Sequence, residues 1–434
     1  MASKTWCRLL ISVFLLFTVA EFVVRGPLRV ATDGMQWNDF MSPYIQAKAW
    51  LLGKNPYRTD ELLKLWPTDN LRPLFVDRDA AAGLLEKKRG IPSPYPPLTL
   101  VLLSPFAKLS WTSAMRVWIV VNVAALLASL LALLSICGVS WHDPRGQLFL
   151  ASAFALAPIQ TGIATANPAI LAVALTVATV WAAYVHRNYT SGILLALAIC
   201  LKPPLGLCLI FYYLIRGHWK IVSVAAATTA LVTGVAIMRL TWTGVAWLPA
   251  YRENATAIFG PGALDDFSPA DPARFNMINL QVLFSSLWAG RSLANALALG
   301  CGAFLAGVWL WLCIKQRRHE LLEIGTLFVL SLLPVYHRFY DAALLIWPLC
   351  WSILVVTKRS VTLLTIALIL PFFIPGAALL DRLAQGQKLL PAAVLDGWWW
   401  NLVVMPHEVW DVLFLSVLLL YFMSLQPARD FDKR

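Results

Sequence analysis

Residues 114–137 read AMRVWIVVNVAALLASLLALLSIC, with Arg116 as their single charge. As a helix this stretch would be about 36 Å long at ~1.5 Å per residue, enough to cross the ~30 Å hydrocarbon core of a bilayer. Its apolar residues fall on every side, and a helix of that kind is buried in protein or in lipid. The rest of the chain agrees. Of 434 residues, 59% are hydrophobic and 13% charged, against about 25% charged in a soluble domain. That balance excludes a water-soluble globule, a disordered chain, a collagen-like fibre and a disulfide scaffold. An all-α, polytopic membrane protein remains.

Outward from residues 114–137, further apolar runs lie at 6–24, 147–165, 168–185, 190–201, 204–215, 221–239, 293–314, 321–335, 341–357, 361–380 and 408–424. The pattern predicts about twelve spans in a single integral-membrane domain over 1–434. The first run has the basic start of a signal peptide, but it is long and no small-x-small cleavage site follows it, so it reads as a retained span. Arg145, Arg187, Arg216 with Lys220, Lys315 with Arg317 and Arg318, Lys358 with Arg359, and the C-terminal tail punctuate alternate short loops. This bias places those loops and both termini in the cytoplasm. The long segments 25–112, 240–292 and 381–407 are then extracytoplasmic, with Trp242, Trp247, Trp288 and Trp398-Trp399-Trp400 at outer span ends as an interfacial belt.

The net charge of +12 comes with no basic cluster in a soluble module, so no nucleic-acid partner is expected. Cys7, Cys137, Cys200, Cys208, Cys301, Cys313 and Cys350 sit within or beside apolar runs, without metal or CxxC spacing, and read as small hydrophobes. No Walker motif or GxGxxG nucleotide fold is present, against a cytosolic nucleotide-sugar donor. Two apolar stretches are interrupted. The short runs 190–201 and 204–215 meet at Lys202-Pro203-Pro204, and 321–357 breaks at Tyr336-His337-Arg338-Phe339-Tyr340-Asp341 after Pro334. Charges in broken helices at membrane depth are tolerated where they line a protein-walled or watery cavity.

The first outer loop opens with Asp33-Gly34-Met35-Gln36-Trp37-Asn38-Asp39-Phe40. Ser42-Pro43 has the form of an N-cap with proline at the first helical position, and Gly53 that of a C-terminal cap. The helix between them, 43–52, is expected to lie in the outer interface as an amphipathic helix. Asp39-Phe40, Tyr44, Ala47, Ala49, Gly53 and Pro56-Tyr57 resemble the opening signature of glycosyltransferase family 87. Tyr95-Pro96-Pro97-Leu98 followed by Pro105 is similar to the family's second signature. Lys202-Pro203 with an aromatic-rich half-span and Arg216-Gly217-His218-Trp219-Lys220 is similar to the third. The resemblance covers roughly residues 20–220. It implies a GT-C-like membrane enzyme, an alpha-mannosyltransferase that takes its sugar from a polyprenyl phosphate and passes it to a lipid-linked or glycan acceptor. The site would face outward from a bacterial-type plasma membrane, with membrane lipids as surroundings and no cofactor or metal. Where many relatives carry a Gly-Gln pair entering the fourth span, this chain reads Thr165-Ala166-Asn167-Pro168.

Such a transfer needs a base for the acceptor hydroxyl and cations for the developing phosphate charge. The leaving phosphate monoester, with a second pKa of about 6, departs with little acid help. Asp39 stands at the family's catalytic position and is the expected base; Asp33 is the alternative, and a solvated helix-entry carboxylate the plain reading. Lys202 fits a phosphate clamp, or else snorkels to the surface. His337 can orient the acceptor, shuttle a proton or touch the donor phosphate. Arg338 either grips phosphate or pairs locally with Asp341. Tyr95 shapes the cavity mouth or a turn re-entering the membrane. Asp265, Asp266 and Asp271 lack calcium-loop spacing and read as a solvated loop. A secondary transporter or lipid flippase is the competing function, expected to show a broken helix in each half.

Overall fold

The computed structural model describes residues 2–33, 39–65, 95–261, 263, 265–288, 290–315, 318–383, 391–395 and 397–425. It is 81% helical, and the described residues form no strand beyond an isolated antiparallel bridge between Met277 and Arg338. Among the described residues, five helices are long and apolar enough to cross a membrane: Thr5–Thr32, Trp111–Ile136, Trp219–Trp242, Arg291–Lys315 and His407–Leu425. The pair Pro144–Ala155 and Ala157–Ala164, bent by 51°, makes six if counted as one span. The other expected spans are helical but short, as in Ala169–Tyr184, Asn188–Leu201, Pro203–Ile215 and Glu320–Ser331. By length and composition alone, the described residues hold five or six such spans. Prolines and charges end the remaining helices before they reach crossing length.

The chain divides into two compact units. One comprises Phe22–Ala132 and Thr161–Leu264, the other Met1–Glu21, Leu133–Gln160 and Asp265–Arg434. In the first, the hairpin of Ala169–Tyr184 and Asn188–Leu201 is closed by a bond from Ser191 Oγ to the Thr179 carbonyl at 2.9 Å. Gly192 lets Asn188–Leu201 lie directly on Trp219–Trp242, since a Cβ there would stand 2.6 Å from Val224 Cβ.

Met41–Leu51 departs from the expected interfacial helix. Met41, Pro43, Tyr44, Ile45, Gln46, Ala47, Ala49 and Trp50 are all buried. Apolar or small residues occupy nearly every angular position of this helix, so no polar face exists to float it at an interface. Tyr44 Oη donates to the Leu109 carbonyl at 2.8 Å and Trp50 Nε1 to the Ala236 carbonyl at 3.2 Å. Arg239 Nε donates to the Trp50 carbonyl at 2.8 Å, a cationic cap on the last turn. The helix starts at Met41 with no side-chain cap, so Ser42 does not cap it, whereas Gly53 does take the left-handed conformation, at φ +69°.

In the second unit, Arg145 Nε and Nη2 donate to the Ile353 carbonyl at 3.0 and 2.9 Å, closing the π-helical end of Trp351–Val355. Glu320–Ser331 ends short of Pro334, and residues 335–338 are non-helical, with Arg338 extended, before the 3₁₀ turn Phe339–Leu345. This piece pairs with the second long loop. Ile278 N–H donates to the His337 carbonyl and Leu280 N–H to the Leu333 carbonyl, each at 2.8 Å. None of the seven cysteines forms a disulfide.

Candidate active site

Asp39 is half-buried and follows residues 34–38, which lie outside the described residues, as does the side chain of Asp33, the alternative base. Its neighbour Phe40 is fully buried and stacks on Trp118, ring centroids 4.4 Å apart and planes 6° apart. The Asp39 N–H donates to the Thr165 carbonyl at 2.9 Å, and Asp39 Oδ2 accepts from Asn167 Nδ2 at 2.8 Å. Both partners sit on the turn that closes helix Ala157–Ala164. There the Ala166 N–H bonds to the Ile163 carbonyl and the Asn167 N–H to the Gly162 carbonyl, which is the paired terminal bonding of a Schellman cap. That cap puts Ala166 at φ +54°, a conformation costing an L-residue roughly 1–2 kcal/mol. Its carbonyl takes the indole N–H of Trp118 at 2.9 Å. The turn, the Trp118–Phe40 stack and Asp39 form one bonded constellation.

Lys202 is half-buried between Asn188–Leu201 and Pro203–Ile215, at φ −150° and ψ 90°. Pro203 and Pro204 carry no N–H, and the Leu205 N–H is turned back to the Lys202 carbonyl at 3.1 Å. This helix start thus offers its usual anion-binding amides to no ligand, and positive charge at the break comes from the ammonium. The Tyr95 segment is tied to the same break. Thr99 Oγ1 donates to the Cys200 carbonyl at 2.7 Å, and Tyr57 Oη donates to the Tyr95 carbonyl at 3.1 Å. Asp39, Tyr95 and Lys202 all belong to the first unit. An apolar groove of about 680 Å³ lies between the helices on either side of Lys202 and Trp219–Trp242, lined by Ile199, Leu207, Ile210 and Met238 among others.

His337 and Arg338 belong to the second unit and point to different partners. His337 is 1% exposed, with Nδ1 3.2 Å from Asp341 Oδ2. Its Nε2 is buried without a hydrogen-bond partner among the described residues. Asp341 also takes the Arg338 backbone N–H at 3.2 Å. The guanidinium goes to Asp265, Nε to Oδ1 at 3.0 Å with Nη2 on the same oxygen, and Nε also reaches Tyr336 Oη at 2.8 Å. Asp266, fully buried, takes Arg291 Nη1 at 2.6 Å. Asp265 and Asp266 are therefore not a solvated loop but the buried anionic halves of two ion pairs whose arginines are partly exposed. Desolvation also pushes the nearby Asp271 carboxyl above its ordinary range and the Arg274 guanidinium below its own.

Glycosyltransferase family 87 aligns with residues 94–335, more than half of the chain. This chain belongs to glycosyltransferase family 87. No curated protein and no solved structure matches it. The chain is accordingly a membrane glycosyltransferase of the GT-C kind. The matched range reaches further toward the C-terminus than residues 20–220, includes Tyr95 and Lys202, and leaves out Asp39, His337 and Arg338. Of the residues around Asp39 in this family-87 enzyme, the sequence reading took Trp118 as an interfacial anchor and Asn167 as a departure from the Gly-Gln pair, and neither as a support of Asp39. Asn167-Pro168 is a turn signal, but nothing local says that its amide reaches a carboxylate 128 positions earlier.

Proposed function

We propose that this family-87 enzyme transfers a hexose, mannose foremost, from a polyprenyl phosphate to a lipid-linked or glycan acceptor at the extracytoplasmic face of a plasma membrane. The observation that carries the reading is the fixed Asp39 carboxylate, held through Oδ2 by Asn167 at 2.8 Å. In the reaction, the acceptor hydroxyl gives its proton to Asp39 as its oxygen bonds to the sugar C1. The C1–O bond to phosphate breaks with its electron pair, and the polyprenyl phosphate leaves. Lys202 holds the phosphate, charged before and after transfer, and Tyr95 shapes the entry beside it. The chemistry calls on no cofactor. The apolar groove, with Ile199 and Leu207 on the two helices that meet at Lys202, supports a long isoprenoid chain on the donor. A twelve-pass topology, with each of the twelve apolar runs as one crossing, is part of the same proposal.

The test is reconstitution of the purified protein in liposomes with radiolabelled polyprenyl-phosphate mannose and a membrane lipid extract. Label is expected in a new glycolipid or glycan. Label taken only from a nucleotide sugar would overturn the donor assignment. The flippase reading draws on the broken helical passage found in each unit; it predicts movement of labelled carrier across the bilayer with no glycosidic product. Within the transferase reading, Lys202→Ala is expected to weaken donor binding about 10- to 100-fold, the equivalent of one charge-assisted hydrogen bond. Lys202→Arg should recover part of that loss, because the charge is kept while its shape changes. Unchanged donor affinity in Lys202→Ala would remove the clamp.

A further inference from the structure

We infer that Asn167 is a positioning residue for Asp39, fixing the direction in which the base presents its carboxylate; this rests on Asp39 being the base, as proposed above. Asn167 is 2% exposed, and both ends of its amide are committed. Nδ2 donates to Asp39 Oδ2 at 2.8 Å, while Oδ1 accepts from the Ala169 N–H at 2.9 Å where helix Ala169–Tyr184 begins. An amide is the side chain that supplies one donor and one acceptor in this fork. Its orientation is over-determined, since the oxygen must face an N–H and the nitrogen a carboxylate. A helix-start cap alone would explain the bond to Ala169 but not the one to Asp39.

The support is two-pointed. The Thr165 carbonyl takes the Asp39 N–H at 2.9 Å, so one short turn holds both the backbone and the carboxylate of the base. The turn is itself locked by Trp118, which bonds the Ala166 carbonyl and stacks on Phe40, the residue next to Asp39. A neutral amide suits the task. It stabilises the charged carboxylate by hydrogen bonding without placing a full positive charge beside it, as lysine or arginine would. The carboxylate keeps its capacity to take a proton while losing its freedom to rotate, and geometry of that kind is worth up to about 10²-fold in rate.

The decisive variant is Asn167→Asp, which preserves the acceptor for the Ala169 N–H, removes the donor, and sets a second carboxylate against Asp39. In the liposome assay kcat is expected to fall about 10- to 100-fold at neutral pH, with donor KM and melting temperature close to wild type. Relative to wild type, activity should recover as the pH is lowered, because two adjacent carboxylates share one proton and the protonated partner donates again. Asn167→Ala should lose kcat without that acid recovery, and should add no further loss in an Asp39→Asn background. Wild-type kcat and pH profile in Asn167→Asp, alongside an inactive Asp39→Asn, would overturn the positioning role and leave the base in place. Losses that multiply in the double variant would also overturn it, reducing Asn167 to a structural cap. Full activity of Asp39→Asn would instead remove the base assignment on which the inference rests.

Discussion

Asp39→Asn is expected to lower turnover by about 10²–10⁴-fold, the usual worth of a general base, while leaving the fold and donor binding nearly intact. The asparagine is isosteric, and its side-chain oxygen can still accept from Asn167 Nδ2, which now bonds Asp39 Oδ2 at 2.8 Å. The Asp39 N–H bond to the Thr165 carbonyl is a backbone contact and is unaffected. Phe40, locked on Trp118, keeps the segment in place. The substitution thus removes proton-accepting capacity and little else. Turnover and donor affinity in liposomes, with melting temperature as a control, separate the outcomes. Near-wild-type turnover, together with an inactive Asp33→Asn, would move the base to Asp33.

How much of this was legible beforehand divides along the range of the interactions. The helices fall where apolar runs predicted them, and Lys202-Pro203-Pro204 breaks the chain as written, because proline at a helix start acts within a few residues. Gly53 was legible for the same local reason. The misreadings concern partners. The 43–52 helix was expected at an interface, but what buries it comes from Leu109 and Ala236, far along the chain. Asp265 and Asp266 look like a solvated acidic turn until Arg338 and Arg291 are brought to them. Hydropathy registers apolar composition and is blind to where a helix ends, so several apolar runs read as spans are helices of only 10–17 residues. The amide of Asn167 is the sharpest case. A residue that differs from the Gly-Gln pair of many relatives turned out to hold the candidate base.

Asp265→Ala is expected to destabilise the second unit strongly. Asp265 is 5% exposed and anchors the guanidinium of Arg338, which is 29% exposed and bonded also to Tyr336 Oη. Removing one partner of a buried pair leaves an uncompensated charge, at a cost of about 3–5 kcal/mol when both are fully enclosed. The partial exposure of Arg338 argues for the lower end, about 3 kcal/mol, because water reaches part of the orphaned cation. Arg338→Met should cost a comparable amount by stranding Asp265. The double variant Asp265→Leu/Arg338→Met should be more stable than either single one, since an apolar pair replaces both charges and the coupling between contacting sites is removed with them. Thermal unfolding in detergent measures all three. The same variants decide what Arg338 does. A side chain that grips the donor phosphate would, on Arg338→Met, lose donor affinity without a change in melting temperature. A side chain that ties the 335–338 piece to the Asp265 loop would lose melting temperature first, and with it the placement of His337, whose carbonyl is bonded to Ile278 in that same loop.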